Sequence, residues 1–419
     1  MAEISAQGAT LEKPPSLFHD ADFLKVWIAG ALVGVMRWLD MLVVGYYTLV
    51  VTGSPFLVSL MLFLRMLPMF LLGAFAGALA ERLDRRVVLS TLLVLMTGMY
   101  GTLAALAIHG RLELWHLALG VIYSGVFWSF ELPVRRTMAG DVAGAARLPR
   151  AMGLESATNS ITRAVGPFIG GGLYDWVGIQ GAFGLGASVC IVGAALLATV
   201  ERGARSETFG ARTSVLTGLM EGARYIRQDR LVQGVLVLTI ILNLFGFACV
   251  SMFAVIGRES FQMSASETGL LVSAEGAGAF LGAILVASFA RQGQLARIFA
   301  IGAGAYISCL GAFAATGLLG GALYIAVAAG FLFVAGFGLS GFGSMQSGLV
   351  LARTPAHLRV RVMGVLAMCI GCGPIGILNV GWIAEEAGAA AAVVIVTSLG
   401  FLCYLVANLY YPELRRRLT

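Results

Sequence analysis

The sequence predicts an all-α integral membrane protein, with twelve transmembrane helices arranged as two pseudo-symmetric six-helix bundles. Three observations carry this reading. The 419 residues are 59% hydrophobic and only 12% charged, with a mean hydropathy of +0.89. Apolar runs of about 20 residues, the length that crosses a bilayer, recur along the whole chain. Short motifs in the first half return at equivalent places in the second. A soluble domain carries about a quarter charged residues, so soluble enzymes, nucleic-acid-binding modules, disordered tails and disulfide-stapled secreted domains are excluded. The net charge of +6 is no nucleic-acid signal, because the basic residues sit between apolar runs, where they orient a membrane protein. Glycines at GxxxG spacing, Gly30/Gly34, Gly73/Gly77 and Gly278/Gly282, suit close helix approach.

Residues 1–22 are polar, contain Pro14-Pro15 and lack an apolar h-region. They read as a cytoplasmic N-terminal tail with no cleavable signal. Six spans then form an N-terminal bundle over residues 23–200: Phe23–Val51, Pro55–Ala80, Val87–Ile108, Glu113–Arg135, Pro149–Tyr174 and Gln180–Val200. Residues 201–230 form a cytoplasmic linker, whose second part has apolar residues at helical spacing with arginines between them, the pattern of an amphipathic helix on the membrane surface. A C-terminal bundle fills residues 231–411 with Leu231–Ile256, Glu267–Ala290, Ala296–Gly317, Gly321–Leu351, Arg361–Ala384 and Ala389–Tyr411. Residues 412–419 make a basic cytoplasmic tail.

Charge fixes the expected orientation. Of 28 lysines and arginines, Arg111 and Arg258 fall in the outer loops, while Arg37, Arg65 and Arg163 fall inside spans; the others lie in segments that alternate with these on the opposite side. Both termini are therefore expected in the cytoplasm, in a multi-pass protein of the inner membrane.

Repetition supports two halves. Arg150-Ala-Met-Gly-Leu at the start of span 5 returns as Arg361-Val-Met-Gly-Val at the start of span 11, and Gly166-Pro167 returns as Gly373-Pro374. Leu72-Gly73-Ala74 followed by Arg82 returns as Leu281-Gly282-Ala283 followed by Arg291. The six cysteines lie in apolar runs, which argues against a disulfide framework. Cys369 and Cys372 spell CxxC within such a run and read as small residues on one helix face. The four histidines are scattered, so the chain calls for no metal and no cofactor.

The segment Gly77-Ala-Leu-Ala-Glu81-Arg82-Leu-Asp84-Arg85-Arg86 resembles the loop 2–3 signature of the major facilitator superfamily, with Glu81 for the usual Asp and Asp84 for the second glycine. Gly166-Pro167-Phe-Ile-Gly170-Gly171 resembles that superfamily's span 5 antiporter motif, with Thr162 in place of its first glycine. Thr52-Gly-Ser-Pro55, Pro133-Val-Arg-Arg136, Glu221-Gly-Ala-Arg-Tyr-Ile-Arg227 and Leu358-Arg-Val-Arg-Val-Met363 look like the enterobactin-exporter and macrolide-efflux branch. The resemblance implies a rocker-switch carrier, a monomer, in which spans 1, 4, 7 and 10 line a central cavity and spans 2, 5, 8 and 11 form the contacts between halves. It implies export of amphiphilic organic molecules or siderophores in exchange for protons.

Charged residues inside apolar spans are costly and are candidates for function by default. They are Arg37 and Asp40 in span 1, Arg65 in span 2, Glu131 in span 4, Glu155 and Arg163 in span 5, and Glu275 in span 8. At about 1.5 Å per residue, Asp40, Arg65, Arg163 and Glu275 lie about 16, 15, 17 and 12 Å from the outer ends of their spans, near the midplane. Asp40 can pair with Arg37 on its own helix or reach Arg65; it either neutralises an arginine and holds spans 1 and 2 together, or titrates as the coupling proton site. Glu275 is the second proton candidate, placed by the resemblance opposite Arg163 as either a gate or a static pair. Glu131 can pair with Arg135, and Glu155 lies within reach of cytoplasmic water. The 77–86 loop (Gly77, Glu81, Arg82, Asp84, Arg85, Arg86) suits a conformational latch. Trp38, Tyr46, Tyr47, Trp128, Asn243, Phe247 and Gln346 could offer aromatic surface and amides to an amphiphile. The expected activity is proton-coupled export of a small molecule; the alternative is an importer or a lipid or anion carrier of the same fold. No enzyme is expected, because no Gly-rich phosphate loop and no histidine–carboxylate cluster appears.

Overall fold

The computed structural model of the protein describes residues 17–80, 84–144, 147–201, 224–289, 292–319, 321, 323–355 and 358–415. Their architecture is helical. The N-terminal half comprises α1 (Ala21–Thr52), α2 (Pro55–Ala80), α3 (Arg85–Ile108), α4 (Leu114–Ala143), α5 (Leu148–Val177) and α6 (Ile179–Ala198). In the C-terminal half are α7 (Arg230–Glu259), α8 (Ala265–Phe289), α9 (Leu295–Leu319), α10 (Leu323–Arg353), α11 (Arg359–Ile370 and Gly373–Ala387) and α12 (Ala389–Tyr410).

Among the described residues, eleven of these helices are long and apolar enough to cross a membrane. The exception is α5. Its 30 residues are ample in length, but Glu155, Ser156, Thr158, Asn159, Ser160, Thr162 and Arg163 crowd its first half. Such a helix is tolerable in a bilayer only where protein covers its polar face, and α5 packs between α1 and α8.

Local chemistry sets the helix ends. Asp20 caps α1 through the Phe23 amide at 3.4 Å, Asp84 caps α3 through Arg86 at 2.9 Å, and Asp229 caps α7 through Leu231 at 3.0 Å. Gly178 and Gly388, with φ of +86° and +83°, are the whole connection between α5 and α6 and between α11 and α12. Only glycine adopts that backbone without strain, so each pair turns on one residue.

Several expected boundaries move. Helix α4 runs on to Ala143, which puts Glu131 and Arg135 well inside it rather than near its end. Helix α1 begins at Ala21, and Leu17, expected in a free tail, is buried against Val142, Ala143 and Ala151. At the other terminus Pro412–Leu414 form a turn, and Leu414 is buried against Gly234 of α7 instead of trailing in a tail. The expected amphipathic helix lies mostly outside the described residues.

Two helices depart from regular winding. In α7 a π turn over Leu242–Gly246 is followed by a tighter stretch over Phe247–Met252, a local rewinding common at functional sites. Helix α11 breaks at Gly371-Cys372, just before Pro374, whose ring and missing N–H oppose continuation.

Buried apolar side chains fall into two main clusters. One draws on α1–α6, the other on α7–α12 together with Leu49 and Val58. The halves meet along two seams, α5 against α8 and α2 against the Gly373–Ala387 part of α11. The Arg359–Ile370 part packs on α7 and α10 of its own half. Contacts across the seams therefore cluster from mid-depth toward the arginine-poor end of the molecule.

Candidate functional site

Small residues bring the seams together. An added Cβ at Gly166 or Gly170 would press on α1 at Val35, Trp38 and Leu39, and one at Gly171 would overlap the Ala265 carbonyl of α8. Gly269 of α8 lies against the Pro167 carbonyl, and Gly276 against Arg163 and Ala164. The Gly166-Pro167-x-x-Gly170-Gly171 run is thus the junction where α1, α5 and α8 meet.

A cavity of about 660 Å³, counting its open mouth, lies at this junction. Its wall is mostly apolar, with Met41, Leu42, Val58, Met61, Leu62 and Phe253, and is punctuated by Trp38, Arg65, Arg163, Ser251 and Glu275. Counted from the arginine-poor helix ends, Asp40, Arg65, Arg163 and Glu275 lie about 18, 15, 21 and 15 Å deep. They occupy one level to within about one helical turn.

Two acid–base pairs form there. Asp40 accepts from Arg65, joining α1 to α2, and both side chains are buried. Arg37 does not take Asp40 as a partner. It lies with its guanidinium 3.7 Å from the Trp128 ring centroid and 3.6 Å from Glu131. Glu275 accepts from Arg163 Nη2 at 2.8 and 2.7 Å and from Nε at 3.1 Å, a fork that crosses between the halves. Tyr306 donates to Glu275 at 3.2 Å, and Trp38 lies 4.5 Å under Arg163.

Arg135 sits between two further carboxylates, donating to Glu131 and, at 2.6 Å, to both oxygens of Glu155. Glu155 is 5% exposed, its carboxylate engaged by Arg135. The pairings are complete in kind: Asp40, Glu131, Glu155 and Glu275 each contact an arginine. Breaking such a pair strands a charge in low dielectric.

Other expected residues are placed elsewhere. Asp84 spends its carboxylate capping α3, while Arg85 reaches Asp141 of α4 and Arg86 donates to the Val200 carbonyl at 3.3 Å. Gly77 lies in α2; Glu81 and Arg82 lie outside the described residues. Asn243 donates to the Thr239 carbonyl and Gln346 to the Thr239 hydroxyl, both at 2.8 Å, so these amides bond within the C-terminal half. Phe247 packs at a tilt against Tyr306 and Phe342, and Tyr47 donates to the Leu112 carbonyl at 3.5 Å. Of the uncharged candidates, Trp38 lines the central cavity, and Trp128 lines a second cavity within the N-terminal half.

Sequence reasoning missed the hydrogen bonds that close the arginine-poor end. Asp175 accepts from the amides of Ala265 at 3.2 Å and Ser266 at 2.8 Å. Glu385 accepts from Ser54 Oγ at 2.7 Å and the Phe56 amide at 3.0 Å. Arg258 donates to Tyr46 at 3.0 Å, and Tyr46 to the Met263 carbonyl at 3.2 Å. The available signal is positional: Asp175 and Glu385 both stand three residues before the glycine that ends their helix. Among the described residues no group of three or more His, Cys, Asp or Glu side chains could hold a metal, and all six cysteines are free thiols.

The model of the Major Facilitator Superfamily matches residues 26–375. The uncharacterized MFS-type transporter YfiS of Bacillus subtilis is 26% identical over 282 residues, which are 66% of this chain and 66% of YfiS. Macrolide efflux protein A of Streptococcus pyogenes is 19% identical over 273 residues, 64% of this chain and 66% of that protein. The chain thus spans just under two thirds of either relative. Among solved structures, a bacterial homologue of the human lysosomal transporter Spinster, inward-facing and unoccupied, superposes with a TM-score of 0.69 at 14% identity, over 97% of this chain and 100% of the other. A bacterial homologue of the iron transporter ferroportin in an inward-facing state gives 0.66 at 15% identity, over 94% and 99%. These likenesses concern the fold.

Proposed function

Because the chain belongs to the Major Facilitator Superfamily of membrane transporters, we propose that it exports amphiphilic small molecules, siderophores among them, across the inner membrane by alternating access in exchange for protons. The observation that carries this reading is the pair of acid–base couples, Asp40–Arg65 and Glu275–Arg163, at one depth, with Arg65, Arg163 and Glu275 lining one largely apolar cavity and Asp40 reached through Arg65. Similarity to a macrolide efflux protein favours export. The positive-inside pattern assigns the arginine-rich end to the cytoplasm. The cavity is then closed toward the outside by the Asp175 and Glu385 contacts, and the conformation is the inward-open one.

In this reading Asp40 carries the coupling proton, with Glu275 in reserve. An ionised carboxylate near the bilayer centre costs about 3 kcal/mol on the insertion scale, so it stays charged only while paired. When the cavity opens to an acidic exterior, Asp40 takes a proton and releases Arg65. Facing the cytoplasm it gives up the proton and re-forms the pair; substrate binds this deprotonated, paired form and is expelled when Asp40 takes its next proton outside, so substrate and proton exchange. The Arg163–Glu275 fork spans the seam about which the halves rock. A substrate screen in proteoliposomes with an imposed pH gradient tests the proposal: uptake into inverted vesicles should rise with an acidic lumen and vanish with a protonophore. Transport indifferent to both would overturn proton coupling.

A further inference from the structure

The second cavity, of about 340 Å³ counting its open mouth, lies between α1, α4 and α5 and is lined by charged side chains. Gly30 and Gly34 open its α1 wall; an added Cβ at Gly30 would overlap the Arg135 guanidinium, and one at Gly34 would come within 3.1 Å of Thr162. Arg37, Arg135 and Arg136 bring three positive charges to it, Glu131 and Glu155 two negative ones. Arg135 engages both oxygens of Glu155 and one of Glu131. Arg37 is left with a 3.6 Å approach to the other Glu131 oxygen, and Arg136, which is exposed at the cavity's rim, has no ion-pair partner among the described residues.

Among the described residues that line it, unmet donors also outnumber unmet acceptors, two against one, the one being the Glu131 oxygen nearest Arg37. Trp128 is 7% exposed, and its indole N–H has no partner among the described residues; neither has the buried Nε of Arg37. The Trp128 ring lies against the Arg37 guanidinium, so the two unmet donors belong to side chains in direct contact. A buried donor without an acceptor is costly. A ligand that brings oxygen acceptors and one negative charge would meet both donors and balance the cavity.

From this geometry we infer that the cavity is the subsite for the anionic head group of an amphiphilic organic acid, whose apolar body extends into the central cavity. Neighbouring residues line the two spaces, Arg37 and Trp38 on α1 and Thr162 and Arg163 on α5, about 1.5 Å apart along each helix. A head group at Arg37 therefore sets its tail at the level of Trp38 and Arg163. The inference rests on the transport reading but does not depend on coupling or direction.

Binding to the purified full-length protein, followed by calorimetry, tests it with decanoate and the uncharged decanol, which share a tail. Wild-type protein should prefer decanoate by about tenfold or more, the worth of a charge-assisted hydrogen bond. Trp128→Phe keeps the ring and removes the N–H; it and Arg37→Gln should each cut decanoate affinity several-fold and leave decanol binding unchanged. Equal losses on both probes, or no preference in the wild type, would overturn the subsite. Competition by dioleoylphosphatidic acid in nanodiscs, lost in Arg37→Gln, would identify a lipid as the acid; its failure beside tight decanoate binding would identify a free organic acid. Decanoate binding without any transport would sink the export reading and leave the subsite standing. Transport of neutral amphiphiles without decanoate binding would do the reverse.

Discussion

Asp175 and Glu385 occupy matching places in the two halves and make the same contact in opposite directions. Each caps the first turn of a helix in the other half, Asp175 that of α8 and Glu385 that of α2. Their carboxylates meet the positive ends of those helices, so the far side of the cavity is shut by two equivalent clasps.

Opening that side should become easier when the clasps are weakened. A helix cap is worth about 1 kcal/mol, so Asp175→Ala with Glu385→Ala should shift the equilibrium toward the outward-open form by about thirtyfold. Distances between spin labels on His109 and Gln262, replaced by cysteine, report the shift. Unchanged distance distributions would mean that apolar packing along the seams holds the closure.

Asp40→Asn mimics the protonated acid. It should abolish accumulation driven by a pH gradient while substrate binding, and exchange without a gradient, persist. Flux and binding measured on the same preparation decide this. If the variant still accumulates substrate at near wild-type levels, Asp40 is a structural partner of Arg65, and the same measurement on Glu275→Gln takes its place.

Adjacent glycines should behave in opposite ways. A methyl group at Gly171 overlaps the Ala265 carbonyl, whereas one at Gly172 meets nothing within 4 Å. Gly171→Ala should slow transport several-fold by keeping α5 and α8 apart, and Gly172→Ala should match the wild type or gain slightly in stability. Parallel transport assays and thermal melts of the two variants separate these effects. Equal transport rates would show that the seam yields to a methyl group.

Orientation can be read by labelling. In a background lacking the six native cysteines, cysteine at Arg111 or Gln262 should react with an impermeant maleimide from outside, while cysteine at Glu201 or Arg415 should react only after permeabilisation. The opposite pattern would reverse the assignment of the cavity mouth to the cytoplasm.

Helix count and the mid-depth charge level were legible because both follow from patterns along the chain: apolar runs of fixed length, and costly charges placed within them. The partners of those charges were less so. Arg37 and Asp40 stand three apart and can share a helix face, yet Arg37 is claimed by Trp128 and Glu131, and Asp40 by Arg65. Which neighbour wins depends on how α1, α2 and α4 rotate against one another, and that is a property of packing. Tyr306 was invisible for the same reason, since nothing in its own segment points to a carboxylate on α8. The caps by Asp175 and Glu385 left only a trace, their equal distance from a terminal glycine.

The interrupted α11 and the unbroken α5 hold equivalent positions, yet one is a jointed arm and the other a stiff beam. Torque applied to the C-terminal half can be absorbed at Gly371-Cys372, whereas α5 runs unbroken past Pro167 and has no such joint. The two seams should therefore part unequally, the α2–α11 side unlatching at Ser54 and Glu385 before the α5–α8 side lets go. Amide exchange faster at residues 369–372 than at 163–166 would register that difference in compliance, and a molecule built from two like halves would then move with an unequal gait.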